Sequence, residues 1–184
     1  MRFCFALLLA LSLPAGPAVA GVIVQMTPRM IEDVIASTGE QAPRLYRLHN
    51  TYVWLQFDTP LVRLARKVAE TRAQSLPVAT HLATPDLVAA ELRFFAGPEP
   101  RGDSDVGIKT VVIERVDGFV VKPSALKSNV EKAQSRGRHG IKLTGVEGVF
   151  PAAALEPGTR FRFKMESGPD QILAPDPAWF DEPR

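Results

Sequence analysis

Apolar residues recur at helical spacing in two stretches of the chain. After Thr59-Pro60, the residues Leu61, Leu64, Ala65, Val68 and Ala69 form one stripe, with Arg63, Arg66, Lys67, Glu70 and Arg72 opposite it, which predicts an amphipathic helix ending before Pro77. After Thr27-Pro28, Ile31, Val34 and Ile35 fall at i, i+3 and i+4, predicting a second helix that stops near Gly39. Both begin with the same device. A threonine suits the N-cap, where its side-chain oxygen accepts a free backbone N–H, and a proline suits the first helical position, where its missing N–H costs nothing. The basic face of the longer helix, Arg63, Arg66, Lys67 and Arg72, reads as solvated surface. Thr84-Pro85 offers the same start to a helix through Leu87, Val88 and Glu91, whereas Leu92 to Ala96 is strand material, so the later half is assigned as strand.

Elsewhere the period is two or the run is short and β-branched. Leu45 to Leu48 and Tyr52 to Phe57 read as a strand pair around His49-Asn50. Val111 to Val116 and Phe119 to Pro123 read as a hairpin, because Asp117-Gly118 suits a type I′ turn. Gly148 to Pro151 and Arg160 to Glu166 read as later strands, the second alternating between apolar and charged residues as a half-buried strand does. Gly145-Val146-Glu147-Gly148-Val149 reads as a turn before a strand. Ser124 to Lys142 has no apolar period and is expected to be a long loop or a poorly packed helix. With six to eight strands and no β-α-β alternation, the expected class is α+β, mainly antiparallel β, β-sandwich-like, with two helices in the N-terminal half.

Leu155-Glu156-Pro157-Gly158-Thr159-Arg160-Phe161 resembles the Leu-x-Pro-Gly-Thr-x-Tyr turn that enters a late strand in fibronectin type III-like extracellular sandwiches. Phe161 lacks the hydroxyl of the tyrosine corner, and the likeness covers under a dozen residues, so it implies architecture and carries over no activity. The layout as a whole is similar to uncharacterised secreted bacterial proteins.

The first twenty residues change the picture of where the protein works. Arg2 precedes the apolar run Phe3 to Leu13, and Ala18-Val19-Ala20 places small residues where a signal peptidase cuts before Gly21. Pro14, Gly16 and Pro17 break the run well short of the roughly 20 apolar residues needed to span a bilayer. The expected organisation is therefore a signal peptide over 1–20, a single domain over 21–168 and a proline-rich extended tail over 169–184, pinned at most by Trp179 and Phe180. Export to a bacterial periplasm is preferred over release into the medium, with no transmembrane segment after cleavage. Cys4, the only cysteine, lies inside the leader, so no lipid anchor is expected and the mature fold must hold without a disulfide.

Charge is nearly balanced, with 22 Lys and Arg against 20 Asp and Glu, and globally favours no nucleic acid or anionic membrane as partner. Loss of Cys4 removes thiol nucleophiles, thiolate zinc sites and dithiol redox chemistry from the mature chain. His49, His81 and His139 have no partner at ligand spacing, and neither Gly-x-Ser-x-Gly nor a phosphate-cradling glycine loop occurs. Arg101-Gly102-Asp103 spells an adhesion tripeptide, and Glu99, Asp103 and Asp105 offer oxygens to Ca²⁺ without the 12-residue loop pattern; both read as a solvated loop. No catalytic residue, metal site or cofactor is assigned.

One local imbalance remains. Lys122, Lys127, Lys132, Arg136, Arg138, His139 and Lys142 are diluted only by Glu131. The leading expectation is a non-enzymatic cell-envelope protein that binds another envelope component, a protein or an anionic polymer, through surface loops. One rival is a carboxylate-dependent hydrolase of glycan or peptide using a pair such as Glu91 and Glu114. The other is an anion-binding module centred on Lys127, Lys132, Arg136, Arg138 and Lys142 within residues 122–142.

Overall fold

The computed structural model describes residues 26–99, 107–136 and 139–180, and the backbone alone for 133–136 and 139–142. The expected signal peptide over 1–20, Arg101-Gly102-Asp103, Asp105 and Arg138 lie outside the described residues.

Both Thr-Pro starts form helices by the expected bonds. Thr27 Oγ1 accepts from the Met30 N–H at 3.3 Å to open α1 (Pro28–Ser37), and Thr59 Oγ1 accepts from the Val62 N–H at 3.4 Å to open α2 (Pro60–Ala73). Their apolar stripes meet in a small core of Val34, Leu61, Leu64, Ala65 and Val68, with Ile31 and Ile35 at its margin. The third pair yields only one turn, α3 (Pro85–Val88), because Thr84 makes no capping bond and the strand signal at Glu91 takes over.

Nine strands run through the described residues: β1 (Tyr46–His49), β2 (Val53–Asp58), β3 (Glu91–Pro98), β4 (Ile108–Glu114), β5 (Val120–Val121), β6 (Ala125–Arg136), β7 (His139–Pro151), β8 (Arg160–Met165) and β9 (Gln171–Leu173). They make a five-stranded sheet, β1-β2-β3-β7-β6, and a four-stranded sheet, β5-β4-β8-β9, with every pairing antiparallel. Alternate residues of the two sheets interleave in one core. Val53, Leu55 and Phe57 on β2 and Leu92, Phe94 and Ala96 on β3 meet Val111 and Ile113 on β4 and Phe161 and Phe163 on β8. Phe57, Phe150, Phe161 and Phe163 are fully buried, and the stacked pair Phe94–Phe150 has centroids 5.0 Å apart. Burial of such rings is the dominant favourable contribution to a disulfide-free core. The fold is α+β, mainly antiparallel β and sandwich-like, and the α-helices among the described residues all lie between residues 28 and 88.

Several expectations change on folding. Ser124 to Lys142 is neither loop nor helix: it supplies β6 and the start of β7, which pair with each other through their backbones. The apolar period is missing because residues 125–129, 131 and 132 are exposed, so pairing there buries nothing. Gly145 to Val149 is not a turn but the middle of β7. Its glycines permit close packing, since a Cβ on Gly148 would lie 2.7 Å from both the Ala125 carbonyl oxygen and the Phe94 ring.

The β4–β5 hairpin forms, but not through a type I′ turn. That turn needs positive φ at both central residues, and of Asp117 and Gly118 only Gly118 has it, at +82°. Instead Gly118 N–H donates to the Arg115 carbonyl and Arg115 N–H to the Phe119 carbonyl, while the Asp117 carboxylate accepts the Phe119 N–H at 3.0 Å. This is a type I turn closed by a glycine bulge. In the segment expected to be an extended tail, residues 171–173 join the second sheet as β9, and Trp179 and Phe180 pack against the main core.

Arg63 is the other departure. On the helical wheel it belongs to the polar face, yet only 5% of its side chain is exposed. It donates to Asp58 Oδ1 at 2.6 Å and to the carbonyls of Leu87, Ala89 and Glu91, so it stitches α2 to the end of β2 and the approach to β3. Arg72 likewise reaches across to the Ile35 carbonyl at 2.8 Å. These two arginines hold the helices in place rather than facing water.

Candidate functional site

The basic stretch folds into a two-stranded ribbon. Strand β3 pairs with β7 only over Val146 to Pro151; beyond that, β7 pairs with β6 alone, from Val130 opposite Gly145 to Arg136 opposite His139. At about 3.3 Å per residue this ribbon runs about 20 Å past its last neighbour in the sheet. Lys127 and Lys132 lie on β6, Arg136 at its tip, and Lys142 on β7 with its backbone opposite Ala133. Arg138 lies outside the described residues. Lys122 sits apart, between β5 and β6.

A bulge determines which of these cations act together. Lys127 is opposite Glu147, but the next partners are Val130 and Gly145, so β6 carries one extra residue at Ser128-Asn129. Asn129 takes a φ of +57°, a left-handed conformation that asparagine tolerates better than most residues. In a regular strand, the odd spacing between Lys127 and Lys132 would put them on opposite faces. The extra residue restores both to one face.

On that face they meet a row of side chains running across the sheet. The backbone register aligns Gln56, Phe95, Glu147 and Lys127 on β2, β3, β7 and β6. Lys132 Nζ lies 4.6 Å from the Phe95 ring centroid and 3.4 Å from Glu147 Oε2. Trp54 packs edge-on to Phe95 with centroids 5.1 Å apart, and the Arg47 guanidinium lies 5.9 Å from the Trp54 ring. Trp54 is 3% and Phe95 6% exposed, so this outer face carries a second, cation-capped aromatic layer opposite the main core. Such contacts contribute about 0.5–1 kcal/mol each at exposed sites. The aromatic signal was present in the sequence, but the bulge that aligns Lys132 with it was not.

Lysines on an open strand edge also discourage pairing by a passing strand, as does a bulge. Both features guard β6, the edge of the five-stranded sheet.

The carboxylate pair of the hydrolase reading is not brought together. Glu91 lies on β3 in one sheet, 3.5 Å from Arg93 Nη2, and Glu114 lies on β4 in the other, gripped by Arg162 through both oxygens. A concavity of about 370 Å³ is lined by Glu114, Arg115, Val116, Gly118, Gly158 and Arg160, and in it Arg115 is held by Glu156 at 2.7 and 3.2 Å. A second, of about 490 Å³ beside α2, is lined by Asp58, Arg63, Arg66, Lys67 and Glu70. Burial raises the Asp58 carboxyl above its ordinary pKa, outweighing the opposite pull of Arg63. Neither concavity holds both Glu91 and Glu114. Among the described residues, no three His, Cys, Asp or Glu side chains gather where they could hold a metal ion, and no helix is long and apolar enough to cross a membrane.

The chain matches no known protein family, no curated protein and no solved structure.

Proposed function

We propose that this chain is an exported, non-enzymatic binding protein of the bacterial envelope whose β6–β7 ribbon engages an anionic polymer. The observation that carries the reading is the ribbon itself: a stretch whose basic residues are diluted only by Glu131 is folded into paired strands that run past β3, residues 125–129, 131 and 132 are exposed, and Lys127 and Lys132 are turned to one face by the bulge. Lysines placed together on paired strands suit a polyanion, because each contact releases counterions and the charges are already positioned. The Arg2 to Ala20 leader supports export to the periplasm, or else beyond it. Glu91 and Glu114, on separate sheets and each held by an arginine, give the hydrolase reading no paired carboxylates.

Heparin-affinity chromatography tests this. The mature protein is expected to be retained at low salt and to elute steeply as salt rises, and Lys127→Gln with Lys132→Gln to elute earlier. Passage of the wild-type protein through the column at low salt, or elution of the double variant at the wild-type position, would remove the proposal.

A further inference from the structure

We infer that Glu147 is a built-in competitor of the anionic polymer, occupying Lys132 in the free protein and setting the affinity of the ribbon; this rests on the binding reading above. Three observations converge on it. Glu147 is opposite Lys127 in the β6–β7 register and opposite Phe95 in the β3–β7 register, so it stands at the base of the ribbon, on the face that Lys127 and Lys132 share. Its Oε2 lies 3.4 Å from Lys132 Nζ, within the reach that a phosphate or sulfate oxygen paired with that ammonium would take. The Phe95 ring, 4.6 Å from the same nitrogen, also contacts the ammonium, so the ring and the carboxylate together take up part of the surface that an incoming anion would use.

The side chains of Lys132 and Glu147 are 44% and 43% exposed, so the pair opens to water and a polymer can displace the carboxylate without unfolding anything. Displacement leaves Glu147 close to the bound anion, which adds repulsion to the loss of the pair. Neutralising it removes both effects. An exposed pair of this kind corresponds to about a two- to five-fold change in binding at low salt.

The test measures binding of long-chain inorganic polyphosphate to the mature protein by fluorescence anisotropy at low salt. The variants are Glu147→Gln, Glu147→Ala as a second neutralisation, and Glu70→Gln, which removes the same charge from the Lys67–Glu70 pair on α2. Thermal melts establish that each is folded. Expected are about two- to five-fold tighter binding for both Glu147 variants, a smaller gain for Glu70→Gln, and loss of at least half of the Glu147→Gln gain when Lys132→Gln is also present. Equal effects of Glu147→Gln and Glu70→Gln would overturn the competitor role and leave the binding reading standing. A full gain persisting without Lys132 would do the same. No polyphosphate binding by wild type would overturn both.

Discussion

Replacing Arg63 by methionine removes a side chain that ties the helical pair to the sandwich. The side chain is only 5% exposed, and its guanidinium donates to Asp58 Oδ1 at 2.6 Å, the Glu91 carbonyl at 2.9 Å, the Ala89 carbonyl at 2.7 Å and the Leu87 carbonyl at 3.2 Å. Methionine keeps most of the stem's packing but takes the Arg63 donor from the Asp58 carboxylate and from the Leu87 and Glu91 carbonyls, while the Ala89 carbonyl keeps the Glu91 N–H. Breaking a buried pair from one side costs about 3–5 kcal/mol. Asp58 retains 22% exposure and some water contact, which places the expected loss at the lower end, about 3 kcal/mol. In a domain of this size that lowers the melting temperature by about 6–12 °C. Urea unfolding followed by circular dichroism measures it, with Asp58→Asn as the partner variant. Coupling requires the double variant to be more stable than the sum of the two single losses predicts. A loss below about 1 kcal/mol for Arg63→Met, or strict additivity, would refute the assignment of Arg63 as a structural tie.

Three further outcomes follow from single positions. Asn129→Val forces a β-branched residue into a φ of +57° and is expected to cost at least about 1–2 kcal/mol in urea melts, whereas Asn129→Gly should be close to neutral. Gly148→Val drives a side chain against the Ala125 carbonyl and the Phe94 ring, 2.7 Å from where its Cβ would lie, and should cost about 1–3 kcal/mol or more. Lys164 holds the Asp170 carboxyl below its ordinary pKa, first by a hydrogen bond, so Asp170 stabilises the folded state above the usual aspartate pKa and loses that contribution as pH falls through the lowered value. Stability measured against pH on the acid side should therefore fall less steeply in Asp170→Asn than in wild type.

Much of the scaffold was legible because its signals are local. Thr27-Pro28 and Thr59-Pro60 cap helices through one side-chain bond each, and the alternation in Arg160 to Met165 directly reports which residues, Phe161 and Phe163, face the core. The ribbon was not legible, because residues 125–129, 131 and 132 of β6 are exposed on both faces and leave no period in the sequence. The bulge was hidden for the same reason: Asn129 reads as an ordinary polar residue until the register on either side of it is known. Arg63 was misplaced by the helical wheel, which reports the side of α2 a residue is on but not that the Leu87 to Glu91 segment covers that side. The cluster of Lys127, Lys132, Phe95 and Glu147 joins residues from three strands, two of them far apart in the chain, so composition drew attention to the lysines alone.

The most direct test of the ribbon as a binding surface is the salt dependence of polyphosphate binding. For wild type and Lys127→Gln/Lys132→Gln, the logarithm of the binding constant is plotted against the logarithm of salt concentration. If both lysines contact the polymer, the double variant's slope should be shallower by about 1.4–1.8. Parallel lines for the two proteins would show that the polymer, if it binds, does so elsewhere, and would contradict the account.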